Sequence, residues 1–329
     1  MRRIGLAVVL AFSLTLTPLD TEAQQTPKVW HLGVLSPGNT SSEAARRQSP
    51  LVQALNELGY AENRNFVVDY RFADGRIDRL PDLAAELVQL KVDAIFTGSS
   101  PGVRAARKAT AIIPIVFIGV SDPVGLGLIA SLAWPGGNVT GVSTLLTGDL
   151  VGKQLQLLKE VVPRLSRVAT LGNPANPGSV AGLRETEAIA PTLGIRIIPV
   201  TMQTSLELDV AVATILRDPP DALLVHPTAP MFEQRSRILD VALKNRLPTV
   251  SGVREFAETG ALITYGPDLA RDARTAATYL DKIFKGARPT DLPVQQPTQL
   301  DLVINLKTAK VLGLTIPQSL LLRADQVIQ

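Results

Sequence analysis

From residue 29 onward, short apolar runs take turns with longer amphipathic ones, and few folds are open to a chain written this way. Strand-length runs fall at 29–35, 66–71, 94–97 and 115–119, with a weaker one at 139–143. The stretches between them read as helices. One at 41–58 stops at Gly59, a natural C-cap, and one at 79–90 sets Leu80, Leu83, Leu87 and Leu90 on a single face at three- and four-residue spacing. Strands joined by helices pair in parallel, because a parallel connection has to return to the same end of the sheet. The pattern then restarts with helix 150–162 before Pro163, strand 168–171, helix 180–193 stopping at Gly194, and strands at 195–200, 222–225, 249–250 and 261–264. Two similar α/β halves meet near residue 145, which suits ordinary domain size.

A helix at 269–285 and a strand at 300–305 come after the second sheet is complete. The chain is therefore expected to cross back between lobes, and the Pro-rich stretch KGARPTDLPVQQPTQ at 285–299 suits an irregular crossover. The expected division is residues 28–143 plus 266–287 in lobe 1 and 144–265 plus 298–329 in lobe 2, with the strands that join them acting as a hinge.

The first residues read as a cleavable export signal: Arg2 and Arg3, an apolar run from Ile4 to Leu16, Pro18, then Thr21-Glu22-Ala23 as a small-x-small cleavage site, so that 1–23 is removed. That run is well short of the ~20 residues that span a bilayer. The sequence contains no cysteine, which excludes disulfides, thiol catalysis and a lipidated tether. A periplasmic protein free of the membrane is expected.

Several chemistries lack their residues. The net charge of +3 is spread along the chain without basic blocks interleaved with aromatics, so no nucleic-acid partner is expected. Two isolated histidines, His31 in a strand and His226 where a strand opens into its loop, make no zinc site, and neither a G-x-S-x-G elbow nor a G-x-x-x-x-G-K phosphate loop occurs. Gly125-x-Gly127-x-x-Ala130 has the spacing of a dinucleotide turn, with a strand before it and an expected helix after it. It lacks the acid about twenty residues on that holds a ribose, since Asp149 lies beyond the next strand. The two glycines are expected instead to let that helix pack closely on the sheet. No cofactor, no metal and no enzymatic activity are expected.

What recurs is a small, polar, Gly/Pro-rich turn directly after a strand: SPGNTSS at 36–42, TGSSPG at 97–102, GVSDPV at 119–124, GNPANPGS at 172–179 and HPTAP at 226–230. Open parallel sheets bind ligands outside the carboxyl ends of their strands, and helix N-termini there offer unpaired N–H groups to a carboxylate or other polar head. Taken singly, each of these residues also serves as an ordinary turn or cap residue.

The segments ADGRIDRLPDLAAELVQLKVDAIFTGSSP, IPIVFIGVSDPVGLGLIASLAWPGGNVTG and GALITYGPDL, continuing through DLPVQQPTQLDLVINLKTAKVLGLTIPQSLL, resemble the substrate-binding proteins of ABC uptake transporters, in the family that includes tryptophan/tyrosine-type binders. The likeness spans about Val29 to Gln329. It implies a type I periplasmic-binding-protein fold, with two Rossmann-like lobes of parallel sheet, three crossovers, and a cleft that closes on one solute for delivery to a membrane permease. The expected solute is small and polar, an amino-acid-like or aromatic carboxylate, and the expected state is a monomer. The family's cleft loops fall on Ser36, Pro37 and Asn39, on Gly98, Ser99 and Ser100, and on Ser121 and Asp122. From the other lobe come Asn173, Asn176, His226 and Thr228. Asp268, in the YGPD turn, either pairs with a ligand ammonium or caps the following helix. A sensory module that signals to a receptor, or an enzyme on the same frame, are the competing readings.

Overall fold

The computed structural model describes residues 28–39, 46, 49–144, 148–297 and 299–329. The expected export signal and most of residues 41–48, the first part of an expected helix, lie outside them. Among the described residues the strands form two sheets, and each sheet is flanked on both faces by helices.

In the first lobe the order is β1 (Trp30–Ser36), α1 (Pro50–Glu57), β2 (Phe66–Phe72), α2 (Leu80–Gln89), β3 (Ala94–Thr97), α3 (Ser100–Ala109), β4 (Ile115–Val120) and β5 (Val139–Ser143). These strands pair in parallel in the order β2-β1-β3-β4-β5. The leucine stripe of α2 buries Leu80, Leu83 and Leu87 against one face of the sheet, as its spacing requires, while Leu90 at the helix end stays 45% exposed.

The second lobe runs α4 (Gly148–Val161), β6 (Arg167–Gly172), α5 (Pro177–Ile189), β7 (Arg196–Thr201), α6 (Leu208–Arg217), β8 (Ala222–Val225), α7 (Ala229–Glu233), α8 (Arg235–Lys244), β9 (Thr249–Ser251), α9 (Arg254–Thr259) and β10 (Ile263–Gly266). The chain then returns to the first lobe as α10 (Leu269–Phe284). It finishes in the second with β11 (Asp301–Asn305), α11 (Leu306–Leu312), α12 (Gln318–Leu321) and β12 (Gln326–Ile328). The second sheet has the order β12-β11-β10-β9-β8-β6-β7 and is parallel except where β11 runs antiparallel to β10. That reversal follows from the route, because β11 enters its sheet from the other lobe rather than through a helix of its own.

Helix α10 completes the face of the first sheet that β1, β3 and β4 leave open, burying Ala273, Ala276, Leu280 and Phe284 with Leu32, Phe66 and Val116. Trp30 stacks on Phe284 at 4.8 Å between ring centroids. The Pro-rich stretch after α10 is irregular but not loose. Gln295 N–H donates to Gly141 O at 3.0 Å and its carbonyl accepts from Ser143 N–H at 2.8 Å, so 292–295 lies along the β5 edge before the chain crosses.

One expectation fails here. No helix follows Gly125-x-Gly127; residues 121–131 form successive turns instead. Leu128 and Ile129 both return their N–H to Pro123 O, at 2.8 and 3.2 Å, and Gly127 takes φ +65°, which breaks helical propagation. The glycines serve a turn, and nothing in the segment presents the helix end that a dinucleotide needs.

Candidate functional site

The carboxyl ends of both sets of parallel strands face one cleft of about 410 Å³ between the lobes. On the first-lobe side, Ser36 ends β1 with Pro37 and Asn39 just beyond it, Gly98, Ser99 and Ser100 follow β3, and Ser121 follows β4. On the second-lobe side, Asn176 starts α5, and His226 and Thr228 lie between β8 and α7. All of these expected residues line the cleft.

The polar face is built largely from helix starts. Ser99 caps α3, its Oγ accepting Gly102 N–H at 3.1 Å. Asn176 caps α5 through Oδ1, which accepts from Gly178 and Ser179 N–H at 2.9 and 3.3 Å. These two N-termini approach each other across the lobe boundary. A Cβ added to Gly178 would lie 2.9 Å from Ser121 Oγ and 3.8 Å from Ser100 Oγ, so only glycine admits that approach without a shift. Ser121 Oγ is buried and has no hydrogen-bond partner among the described residues.

His226 is 6% exposed and sits under α5, with Nε2 at 3.4 Å from Thr186 Oγ1. The Thr186 hydroxyl donates to Gly182 O at 2.7 Å, which leaves its oxygen to accept from the ring and fits the Nε2–H tautomer. Burial holds the imidazole neutral and lowers its pKa to about 4. It shapes the cleft without charging it.

Three expected residues are not brought to the cleft surface. Asp122 is exposed, close enough to Glu185 of α5 to add to the rise that burial gives that carboxyl's pKa, and its Oδ1 accepts Gly125 N–H at 2.8 Å to close a turn. Asn173 is buried just behind the wall: its Oδ1 accepts Ala175 N–H at 2.9 Å and its Nδ2 donates to Gln203 O at 3.3 Å, so it shapes the loop leading to α5. Asp268 resolves to a helix cap, Oδ1 accepting from Ala270 and Arg271 N–H at 2.8 and 3.2 Å.

The cleft also has apolar lining that the sequence pattern does not mark. Leu150 and Val151 from α4, Phe232 from α7, Val253 before α9 and Leu269 at the start of α10 all line the cleft. Helical periodicity reads such residues as core, since it does not separate a face that packs on a sheet from a first turn that meets a cavity. Gln154, another residue not foreseen, is 4% exposed and donates to Tyr265 O at 2.8 Å, bracing α4 against β10 beneath the cleft. Among the described lining residues the ionisable groups are His226 and Glu233, with no lysine or arginine. Among the described residues no cluster of His, Asp and Glu could hold a metal ion.

Two doubly wound lobes, crossed three times by the chain and facing one solute-sized cleft with their strand ends, define a periplasmic-binding-protein type of molecule. The chain belongs to the ABC transporter substrate-binding protein family, whose model matches residues 40–328. The proteins of this family are substrate-binding proteins, not enzymes. A tyrosine-binding protein of Clostridioides difficile (strain R20291) is 27% identical over 263 residues, covering 80% of this chain and 75% of that protein. A conserved domain protein of Vibrio cholerae is similar in structure at TM-score 0.82 and 29% identity, covering 91% of this chain and all (100%) of the other. The L-Trp complex of an ABC domain from Streptococcus pneumonia gives TM-score 0.81 at 24% identity, with 92% and 100% covered. A ligand-free, open substrate-binding protein with adhesive properties from Clostridium difficile gives only 0.61 at a similar 26% identity, with 92% and 100% covered.

Proposed function

We propose that this protein is the exported solute receptor of an ABC uptake system and that it binds an amino-acid-like monocarboxylate with an apolar body. The observation that carries this reading is the mixed lining of the cleft, helix starts and hydroxyls together with apolar side chains. A ligand carboxylate placed where the starts of α3 and α5 converge meets helix N-termini and the hydroxyls of Ser100 and Ser121, where negative charge is favoured without a basic side chain. Leu150, Val151, Phe232, Val253 and Leu269 then take the apolar part. With no lysine or arginine among the described lining residues, a second carboxylate on the solute would be desolvated without compensation from them. The names of the tyrosine-binding relative and of the L-Trp complex support the same class of ligand.

The residues that contact solute in this reading are Ser36, Pro37, Gly98, Ser99, Ser100, Ser121, Asn176, His226 and Thr228. Export through the segment ending at Ala23, delivery to a permease and a monomeric state complete the proposal.

Calorimetric titration with L-tyrosine, L-tryptophan, L-phenylalanine, L-leucine, benzoate and succinate tests it. At least one of the monocarboxylates should bind and succinate should not. Tight binding of succinate, or of none but a sugar, would overturn the reading. Ser121→Ala should weaken the monocarboxylate about tenfold, the worth of one hydrogen bond to a charged group.

A further inference from the structure

Across the mouth of the cleft, one carboxylate of the second lobe is held by the first. Asn39 N–H donates to Glu233 Oε1 at 2.7 Å, and Asn39 Nδ2 donates to Glu233 Oε2 at 2.8 Å. Within the second lobe the Ser205 hydroxyl donates to the same Oε2, fixing the carboxylate before the first lobe arrives. The loop is shaped for the contact: Ser36 Oγ accepts Gly38 N–H at 3.1 Å, and a Cβ on Gly38 would stand 3.3 Å from Glu233 Oε1. Asn39 therefore spends its amide on the protein and not on a solute.

We propose that Asn39 and Glu233 form an interlobe latch that favours the closed arrangement of the protein independently of which solute is bound. Each of its hydrogen bonds runs from protein to protein, so its free energy adds to that of any ligand and is felt as slower release. Glu233 is thus a positioning residue: it acts on the lobes and leaves ligand choice to the cleft walls. This inference goes beyond the proposed ligand class and does not rest on it.

The cysteine-free chain accepts paired nitroxide labels at Arg76→Cys and Leu206→Cys, exposed positions that flank the latch from the two lobes. Pulsed electron–electron resonance on the solute-free protein should show a short interlobe distance population that shrinks at least about threefold in Glu233→Ala and in Asn39→Asp, where two carboxylates would face each other. Glu233→Gln keeps one acceptor oxygen and should lose less. Combining Asn39→Ala with Glu233→Ala should add nothing to Glu233→Ala alone, while Asn39→Ala alone, which keeps the backbone N–H donor, should lose less. Unchanged distributions, or additive effects, overturn the latch, and a native circular dichroism spectrum shows that the variants are folded. With L-tryptophan and L-tyrosine as probes, Glu233→Ala should raise the dissociation rate about tenfold for both and leave the association rate unchanged. A factor that differs between the two probes would make Glu233 a ligand contact and sink the proposal. If neither probe binds, the ligand class proposed above fails, while the resonance experiment still decides the latch.

Discussion

His226 is a titratable group whose environment fixes one protonation state. Buried beside Thr186 and Gly182, it has a pKa of about 4, below the ordinary 6.5, through desolvation. Between those values the unfolded chain binds a proton that the folded chain refuses. The stability is present above about pH 6.5 and lost as pH falls toward 4, by about 3 kcal/mol. The melting temperature of the wild type should therefore fall more steeply between pH 7 and 4 than that of His226→Gln, and parallel curves would contradict the assignment. Asp272 has the opposite sign. Burial, then the neighbouring Asp268, raises its pKa to about 6, and its Oδ2 is buried without a hydrogen-bond partner among the described residues. The folded chain holds this proton more tightly than the unfolded one, so the ionised form costs stability as pH rises from about 4 through 6. Asp272→Asn should raise stability at pH 7 by about 1–2 kcal/mol, and the gain should vanish toward pH 4 in urea titrations.

At the scale of elements, strand and helix positions were readable because hydrophobic spacing encodes them directly: 94–97, 139–143 and 222–225 are strands at those bounds. The segment after β4 was not, because a Gly-x-Gly turn and a Gly-x-Gly helix start share one spacing, and only the return of Leu128 and Ile129 to Pro123 tells them apart. Polar cleft residues were legible for a related reason. A residue that caps a helix after a strand stands at the strand's carboxyl end, so Ser99 and Asn176 follow from chain order alone, whereas Phe232 and Gln154 need the packing of the second lobe and Glu233 needs the lobes brought together. Asn176→Ala should cost about 1 kcal/mol in urea unfolding through loss of the α5 cap, besides weakening solute binding. Gly266→Ala should cost more, over about 2 kcal/mol, because its Cβ would lie 1.9 Å from Gly252 O where β10 leaves its sheet. Gly125→Ala puts a Cβ 2.0 Å from Asp122 Oδ2 and displaces the carboxylate that accepts Gly125 N–H, so it should cost about 1 kcal/mol, the worth of that turn-closing bond, and no loss would mean the turn is misread.

For the whole molecule, the two sheets behave as separate bodies with a core on each face, and the cleft is where they meet. Small-angle scattering should show a smaller radius of gyration for wild type with a bound monocarboxylate than without, and no such change would remove the case for hinge closure. The return of α10 to the first lobe carries a further consequence, which concerns how the protein is made. Phe284, which stacks on Trp30, and Leu280, Ala276 and Ala273, which cover β1, β3 and β4, are synthesised after all five strands of the first sheet and after β6 to β10 of the second. Until they emerge, the apolar face formed by Leu32, Phe66 and Val116 has only Leu51, Ala54 and Leu55 of α1 and Tyr60 to pack against, and the first lobe cannot complete its core ahead of most of the second. A lobe that waits for a segment made after most of its neighbour keeps its apolar face partly open through much of synthesis, which lengthens the time it needs protection from aggregation.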